Sequence, residues 1–599
     1  TAIGGSPLLL PPHPPVYANK KWRRRMNGVR ASRSMDRVYL GGMRLPLSTI
    51  TTSHRQKYKR GYMIKNPDWW RGAVIYQVYP RSFYDSNGDG IGDLPGVTAK
   101  LDYIASLNVD AIWLSPFFTS PMKDFGYDVS DYRNVDPIFG TLEDFDELIA
   151  EAHKRDLKIM IDQVLSHSSD QHPWFVESRA SRDNPKADWY VWADPKSDGT
   201  PPNNWLSVFG GSAWAWDSRR KQYYLHNFLT SQPDLNFHNP EVQMQVLSDV
   251  KFWLDRGVDG FRLDAINFCF HDPKLRDNPA SKAVAEGSIG VRKENPYAYQ
   301  FHKFDKTQPE NIDFLKRLRA LLDQYPGTTT VGEIGDDNSL QTMADYTSGG
   351  DKLHMAYSFD LLTEQHGADF FLKTVNTIEG KLTDGWPCWA IGNHDVARVA
   401  TRWNATSEQQ LKAYMAMLLT LRGSVCIYQG EELGLTEAEL QYEDLVDPYG
   451  ITFWPEYKGR DGCRTPMVWH HEESHAGFSD ARPWLPVYDD HYNAAVAVQH
   501  AEDNSVLAAY RAFLGWRKDQ PILLKGDIEF SKSPKNTLVY TRSLGDETVM
   551  VALNLSESAV TIPMPGAGTP EPDTPDFVGG QWHGKDLTLG PWGIDIARL

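Results

Sequence analysis

Arg262 and Asp264 stand two residues apart at the end of an apolar run, residues 260–265. Because successive side chains of a strand alternate between its two faces, both would point the same way. A cation beside a carboxylate favours the ionised carboxylate, and an ionised carboxylate held in place can serve as the nucleophile in covalent cleavage of a glycoside. A structural ion pair at a strand end is the alternative interpretation, so the decision depends on the rest of the sequence.

Two further carboxylates end or follow strand-like runs. Glu333 ends one of them, where burial would raise its pKa and keep it protonated, as a general acid requires. Asp395 follows another, beside His394. Glycoside cleavage needs one carboxylate that attacks and one carboxylic acid that protonates the leaving oxygen. We therefore assign Asp264 as the nucleophile, Glu333 as the general acid and base, and Asp395 as a carboxylate that binds substrate and stabilises the transition state.

Short apolar, β-branched runs alternate with helix-like segments from residue 73 onwards. The alternation predicts an α/β fold in which eight parallel strands, each followed by a helix, close into a (β/α)8 TIM barrel. Reactive side chains of such a barrel lie at the carboxyl ends of its strands, which is where Asp264, Glu333 and Asp395 fall. The predicted strands are residues 73–78, 111–116, 158–164, 260–265, 328–334, 354–359, 386–391 and 424–429.

Two long intervals interrupt this pattern. Residues 166–232, rich in Trp, Pro, Gly and Asn, predict an inserted subdomain after the third strand, and a second excursion at about 436–485 follows the eighth. From residue 521 onwards, short alternating segments separated by Gly, Pro and Asp predict a C-terminal antiparallel β-sandwich over 521–599. The catalytic barrel then comprises residues 63–165 and 233–520.

The charge distribution sets the first 62 residues apart. They carry thirteen Lys and Arg and a single acid, Asp36, whereas the whole chain has a net charge of −16. We interpret residues 1–62 as a transit peptide or as sequence upstream of a natural start at Met63, outside the catalytic fold; a basic tail that binds an acidic partner is the alternative. The acidic remainder would repel a phosphate backbone, which argues against nucleic acid and favours small neutral substrates.

Cysteine usage and hydropathy indicate the compartment. The four cysteines, Cys269, Cys388, Cys426 and Cys463, lack metal-ligand spacing, so we predict buried free thiols and a reducing, cytoplasmic location. The sequence contains no run of 18 apolar residues, which predicts that no membrane span is present. It makes no prediction about the oligomeric state.

Four segments together resemble the signature regions of the α-amylase superfamily of retaining glycoside hydrolases: residues 162–167, 260–266, 332–334 and 393–395. Residues 69–83 and 460–467 extend the resemblance to the branch of oligo-1,6-glucosidase, bacterial α-glucosidase and their sucrose- and trehalulose-forming relatives. The resemblance covers about residues 63–599 and implies a double displacement by Asp264, Glu333 and Asp395.

The resemblance also implies the substrate-binding residues. Those expected to hold the non-reducing glucose are Asp124, Tyr127, His167, Arg262, His394 and Arg464, and those expected on the leaving-group side are Phe209, Phe228 and Gln232. Asp124 and Arg464 would bind the far hydroxyls of this glucose and close the pocket, which favours removal of terminal glucose from short substrates.

Some positions depart from the family pattern or vary within it. Ser166 replaces the usual Asn of the first signature region, and Phe125 replaces a small polar residue. Ala265 follows the nucleophile, where Val is associated with α-1,6 linkages. We therefore predict a retaining exo-α-glucosidase that cleaves terminal α-1,4-linked glucose from maltose and short oligosaccharides, with glucosyl transfer to acceptor alcohols as a second outcome. The alternatives are an oligo-1,6-glucosidase, a sucrose-acting glucosyltransferase or isomerase and, more distantly, a non-catalytic transporter-subunit relative.

A glycine-rich loop, residues 85–93, presents oxygen ligands at alternate positions. Hard cations such as Ca²⁺ prefer several carboxylate and carbonyl oxygens in a flexible loop. The loop begins like an EF-hand but has Gly96 at the twelfth position, so it instead resembles the structural Ca²⁺ loop of the α-glucosidase branch. The ligands implied by that resemblance are Asp85, Asn87, Asp89, the carbonyl of Ile91 and Asp93; Mg²⁺, or a turn without metal, is the alternative.

Overall fold

The computed structural model describes residues 66–281, 291 and 294–598, so the basic segment 1–62 lies outside the described residues. All eight predicted strands are present: β1 Val74–Val78, β2 Ala111–Leu114, β3 Lys158–Val164, β4 Gly260–Asp264, β5 Thr329–Ile334, β6 Met355–Ser358, β7 Cys388–Ala390 and β8 Ser424–Tyr428. They form one parallel sheet in the order β6-β5-β4-β3-β2-β1-β8-β7. A parallel bridge between Ala356 and Pro387 joins β6 to β7 and closes the barrel. The predicted fold is confirmed.

At least one helix follows each barrel strand. In chain order, the main ones are Leu94–Ala99, Leu101–Ser106, Leu142–Lys154, Pro240–Asp255, Asn311–Leu322, Ser339–Thr347, Ala368–Glu379, Glu408–Thr420 and Val506–Lys518. Thr141 caps the helix Leu142–Lys154, because its hydroxyl accepts from the backbone N–H of Asp144 while the Asp144 carboxylate accepts from the backbone N–H of Thr141. Phe145 and Leu148 of this helix are buried in the main apolar core.

The alternation of side chains along β4 separates core from site. Phe261 and Leu263 are buried in the apolar core that the helices cover, whereas Arg262 and Asp264 face the barrel interior. A second apolar cluster fills the lower part of that interior and includes Ile75, Trp113, Met160, Val331, Met355, Cys388 and Cys426. The polar groups at the carboxyl ends of the strands therefore rest on a packed apolar floor.

Two smaller β structures accompany the barrel. Strands Trp192–Ala193, Trp214–Asp217 and Gln222–Leu225 form an antiparallel sheet within the segment predicted as an inserted subdomain. Near the C-terminus, one antiparallel sheet contains Asp527–Ser531, Thr537–Leu544, Glu547–Asn554, Thr569–Pro570 and Ile594–Arg598, and another contains Val560–Pro563, Gln581–His583 and Asp586–Leu589. Apolar side chains from both sheets share one cluster.

The four cysteines are buried and free. No helix in the described part of the chain combines the length and the apolar character needed to cross a membrane.

Candidate active site

A single buried guanidinium organises the carboxyl end of the barrel. Arg262 donates from Nη1 to Oδ1 of Asp264 at 2.6 Å and to Oδ1 of Asp162, on β3, at 3.0 Å. Its Nη2 forms an ion pair with Oε1 of Glu333, on β5. Arg262 and Asp264 point the same way, as the strand spacing predicts. Because Arg262 joins carboxylates from three neighbouring strands, the arrangement is more than an ion pair that caps one strand.

Both carboxylate oxygens of Glu333 have donors. The hydroxyl of Tyr357, on β6, donates to Oε1 at 3.0 Å, and the backbone N–H of Ala265 donates to Oε2 at 3.0 Å. The side chain is 8% exposed. Glu333 is therefore held on the same guanidinium as Asp264.

Asp395 lies between two further guanidinium groups. Its Oδ1 accepts from Nη2 of Arg464 at 3.0 Å and from Nη1 of Arg460 at 3.2 Å, and Nε2 of His394 lies 3.3 Å from its Oδ2. Nη2 of Arg460 also donates to Oδ1 of Asp124 at 2.7 Å. Arg460 thus connects Asp395 with the carboxylate expected to bind the far side of the glucose.

The carboxyl groups differ in the ease of their ionisation. Burial raises the pKa of Asp264 and of Glu333 to about 7, and Arg262 opposes the rise without cancelling it. The expectation that Arg262 alone keeps Asp264 ionised was too simple, because the same guanidinium also serves Asp162 and Glu333. The charge of an ionised Asp264 adds to the rise in the pKa of Glu333, which favours a state of the pair that retains one proton.

The pKa of Asp395 is shifted in the opposite direction. Burial opposes its ionisation, but the His394 ring and the charges of Arg460 and Arg464 hold the pKa of Asp395 below its usual range. Asp395 therefore remains a carboxylate throughout the pH range in which Asp264 and Glu333 gain or lose a proton.

His394 and Tyr127 form a stacked pair above Asp162. Their ring centroids are 5.3 Å apart with an interplanar angle of 6°, and the Tyr127 hydroxyl lies 2.5 Å from Nε2 of His394. The same hydroxyl donates to Oδ2 of Asp162 at 3.0 Å. Burial lowers the pKa of His394 well below its ordinary value. The ring is thus neutral at pH 7 and suited to a sugar hydroxyl.

His167 belongs to a second hydrogen-bonded group. Its Nε2 lies 3.1 Å from the carbonyl oxygen of Tyr127 and 3.2 Å from Nε2 of Gln232. The Gln232 amide also donates to Oδ2 of Asp124 at 3.0 Å. Burial lowers the pKa of His167 to about 4, so it is neutral at pH 7. Gln232, expected on the leaving-group side, therefore also contacts two of the residues expected to bind the non-reducing glucose.

The two phenylalanines expected on the leaving-group side lie in one aromatic group. Phe228 contacts the His167 ring with centroids 5.0 Å apart and meets Phe209 edge-on at 5.9 Å. Phe209 packs against Tyr449, and the guanidinium of Arg460 lies 4.9 Å above its ring. This aromatic group therefore packs against the His167 ring and against the guanidinium of Arg460, which links Asp124 to Asp395.

The glycine-rich loop provides an oxygen-rich turn apart from these carboxylates. Asp85 accepts three backbone N–H groups of the loop at 2.7–3.0 Å, and Asp93 caps the helix that follows. Asn87 and Asp89 each accept the backbone N–H two residues later. Within the described residues, no three His, Cys, Asp or Glu side chains are arranged to hold a metal. A cation here would need the Asn87 amide and the Ile91 carbonyl as well.

The donor set nevertheless fits a hard cation. All five groups present oxygen, which Ca²⁺ and Mg²⁺ prefer. Burial raises the pKa of Asp93, and the charge of Asp85 adds to the rise. A bound cation would offset this unfavourable ionisation.

Three residues of the site were not among the predicted binding residues. Asp162 and Arg460 lie in the segments that carry the family resemblance, but nothing in their spacing indicates that Arg262 or Asp124 would be their partner. Tyr357 is the penultimate residue of β6. The rule that reactive groups lie at strand ends could have found it, but β6 has no acidic, basic or histidine side chain, and a buried tyrosine is more often a packing residue.

Comparison with known proteins shows the family. The alpha amylase catalytic domain family matches residues 77–526. A probable alpha-glucosidase of Rhizobium meliloti strain 1021 is 57% identical over 541 residues, which is 89% of this chain and 97% of that protein. An oligo-1,6-glucosidase of Heyndrickxia coagulans is 40% identical and covers 83% of this chain and 94% of its own. The crystal structure of the alpha-glucosyl transfer enzyme XgtA is 58% identical with a TM-score of 0.86, covering 88% of this chain and 99% of that one.

The closed barrel with buried carboxylates at its strand ends thus defines an enzyme of the glycoside hydrolase class. The chain belongs to the α-amylase family and, within it, to the glucosidase branch. The predicted fold, family and enzyme class are confirmed.

Proposed function

We propose that the protein is a retaining, exo-acting α-glucosidase that removes terminal α-1,4-linked glucose from maltose and short oligosaccharides. The observation that carries the proposal is the contact of one guanidinium, that of Arg262, with both Asp264 and Glu333. A retaining glycosidase places its two carboxyl groups about 5 Å apart, whereas an inverting one leaves room for a water between them. Carboxyl groups that share one side chain suit the closer spacing.

The reaction follows from the protonation of this pair. Glu333 donates its proton to the glycosidic oxygen while Asp264 attacks the anomeric carbon, and the bond to the leaving sugar breaks with its electron pair. The product of this step is a glucosyl ester on Asp264. Glu333, now ionised, takes a proton from water as the water oxygen attacks the same carbon and releases Asp264. Asp395, which stays ionised, stabilises the positive charge of both transition states.

Exo-action is supported by the closed far side of the pocket. Asp124 is 3% exposed and is held between Gln232 and Arg460. A buried carboxylate in this position can accept hydrogen bonds from the hydroxyls of a terminal glucose but leaves no path for a longer chain. Cleavage within long α-glucans by the wild-type protein at a rate comparable with that on maltose would contradict this.

Ala265 supports the preference for α-1,4 linkages. The residue next to the nucleophile borders the bond to be cleaved, and here it is small and in the left-handed region, with a φ of 40°. The preference is tested by measuring kcat/KM for maltose, isomaltose and sucrose with one preparation and comparing the three values. We expect maltose to be the best of the three; a higher value for isomaltose or sucrose would favour the corresponding alternative of the same branch.

Glucosyl transfer is the second candidate outcome, because a relative at 58% identity is described as an alpha-glucosyl transfer enzyme. Both reactions share the ester on Asp264 and differ in the hydroxyl that attacks it. A time course with maltose, with and without an added alcohol, distinguishes them by comparing free glucose with new glucosides.

Two further predictions belong to this proposal. We propose that the loop of residues 85–93 binds Ca²⁺, with Mg²⁺ as the alternative, in a structural role. The buried free cysteines support a reducing, cytoplasmic location.

A further inference from the structure

Tyr357 stands between two groups that the proposed reaction uses. It is 1% exposed, and its hydroxyl accepts from Nε and Nη2 of Arg262 at 3.2 and 2.9 Å. The same hydroxyl donates to Oε1 of Glu333 at 3.0 Å. Arg262 also contacts Oε1, so this oxygen has two donors from β4 and β6. Oε2 of Glu333 accepts from the backbone N–H of Ala265 alone among the contacts recorded for the described residues.

We propose that Tyr357 is a positioning residue for the acid–base step, which with Arg262 fixes Oε1 of Glu333 so that Oε2 carries and delivers the proton. The proposal rests on the glucosidase function proposed for this site. A carboxylic acid has one proton, and an oxygen that faces two donors is the poorer place for it. Oε2 therefore gives the proton to the departing oxygen and later takes one from the attacking water.

The pH dependence of the acid follows from its neighbours. The groups that face Glu333 are Arg262, Asp264, Asp395, Tyr357 and the backbone N–H of Ala265. Burial raises the pKa of Glu333, and the charges of Asp264 and Asp395 add to the rise, while Arg262 opposes it. Because the Tyr357 hydroxyl donates to the ionised carboxylate, its loss should raise the pKa of Glu333 further. Burial keeps the pKa of Tyr357 itself well above 10, so it remains a donor.

The test is Tyr357→Phe, which removes one oxygen, assayed with two substrates. Maltose needs a proton on its leaving oxygen, whereas the fluoride of α-glucosyl fluoride leaves with little help from an acid. General acid catalysis contributes about 10²–10⁴-fold, so partial misplacement of the acid should lower kcat/KM for maltose roughly 10- to 100-fold. We expect the fluoride rate to change much less, and the alkaline limb of the maltose profile to move to higher pH.

The matched control is Tyr346→Phe. Tyr346 is also buried, and its hydroxyl accepts from the Asn311 amide at 2.9 Å on the helical outside of the barrel. Removal of this oxygen should leave the ratio of maltose to fluoride rates unchanged. Because the ratio is taken within one preparation, partial loss of folded protein cancels.

Two outcomes would overturn the proposal for Tyr357: an equal loss with both substrates, or an unchanged ratio together with an unchanged alkaline limb. Glu333→Gln in the same assays separates this result from failure of the proposed function. If Glu333→Gln does not lose maltose activity selectively, Glu333 is not the acid. If Glu333→Gln loses maltose activity selectively and Tyr357→Phe does not, Glu333 is the acid and only the positioning role of Tyr357 is wrong.

Discussion

Replacement of Arg460 by Met removes a cation that joins three carboxylates, of which Asp124 and Asp447 are buried and Asp395 is 22% exposed. Arg460 donates to both oxygens of Asp447, at 2.7 and 3.1 Å, and to one oxygen each of Asp124 and Asp395, at 2.7 and 3.2 Å. Its side chain is 7% exposed. Arg464 remains beside Asp395 in the variant, so Asp124 and Asp447 lose the most.

The expected loss in the free energy of unfolding follows from the burial of these groups. Loss of one partner of a buried ion pair destabilises a protein by about 3–5 kcal/mol, because the remaining charge is uncompensated. Protonation of Asp124 or Asp447 limits the loss, since one pKa unit is worth about 1.4 kcal/mol. We therefore expect Arg460→Met to lower the free energy of unfolding by about 3–5 kcal/mol at pH 8 and by less at pH 5.

Loss of Arg460 should make the stability of the folded protein depend on pH. In the wild type, burial acts against ionisation of Asp447, but Arg460 lowers the pKa of this residue overall. Burial already raises the pKa of Asp124 in the wild type, so loss of Arg460 raises it further, and the pKa of Asp447 rises above that of the unfolded chain. The folded variant then binds more protons than the unfolded one, so its stability falls as the pH rises through the raised values.

Urea unfolding, followed by tryptophan fluorescence at pH 5 and pH 8, measures this prediction, and the KM for maltose is measured alongside. Arg460→Lys keeps the charge but not the planar fork, so it should fall between the wild type and Met. Lys251→Met removes a partner of Asp255 in a pair whose two side chains are both about half exposed, and it should change little. A loss below about 1 kcal/mol at pH 8, with an unchanged KM, would refute the account of Arg460.

The remaining predictions concern the nucleophile, the loop and the residue after the nucleophile. Asp264→Asn should lower kcat by many orders of magnitude. Because burial raises the pKa of Asp264 to about 7, the variant should also be more stable than the wild type at pH 8. A difference in stability between variant and wild type that is the same at pH 4 and pH 8 would contradict this. Removal of divalent cations by EDTA should lower the Tm, with recovery on addition of Ca²⁺, whereas loss of turnover at an unchanged Tm would exclude a structural role. Ala265→Val places a β-branched residue at a φ of 40°, so it should destabilise the protein by about 1–3 kcal/mol in urea unfolding. The same variant should raise the kcat/KM for isomaltose relative to that for maltose. An unchanged ratio would show that Ala265 does not determine the linkage preference.

The sequence predicts the barrel because each strand is a short apolar run, and period-two alternation places Arg262 and Asp264 on one face. The strand-end rule likewise locates Glu333 and Asp395 without any knowledge of their partners. These are local properties, which a pattern along the chain can express.

Partnerships between distant residues are not local. Arg460 and Asp124 are 336 residues apart in sequence, yet their side chains lie 2.7 Å apart. Tyr357 reaches Glu333 only because β5 and β6 are adjacent and in register, with Glu333 opposite Tyr357. The pKa of Asp264 depends on how one guanidinium is divided among three carboxylates, which no spacing reveals.

The central claim is that Asp264 forms a covalent bond with the glucosyl unit. The most direct measurement is incubation with a slow fluorinated α-glucosyl fluoride, followed by proteolysis and mass spectrometry of the peptide that contains Asp264. We predict that this peptide gains one fluoroglucosyl unit, that fragmentation places it on Asp264, and that Asp264→Asn shows no labelling. A label on another residue, or turnover of maltose by Asp264→Asn near the wild-type rate, would contradict the claim.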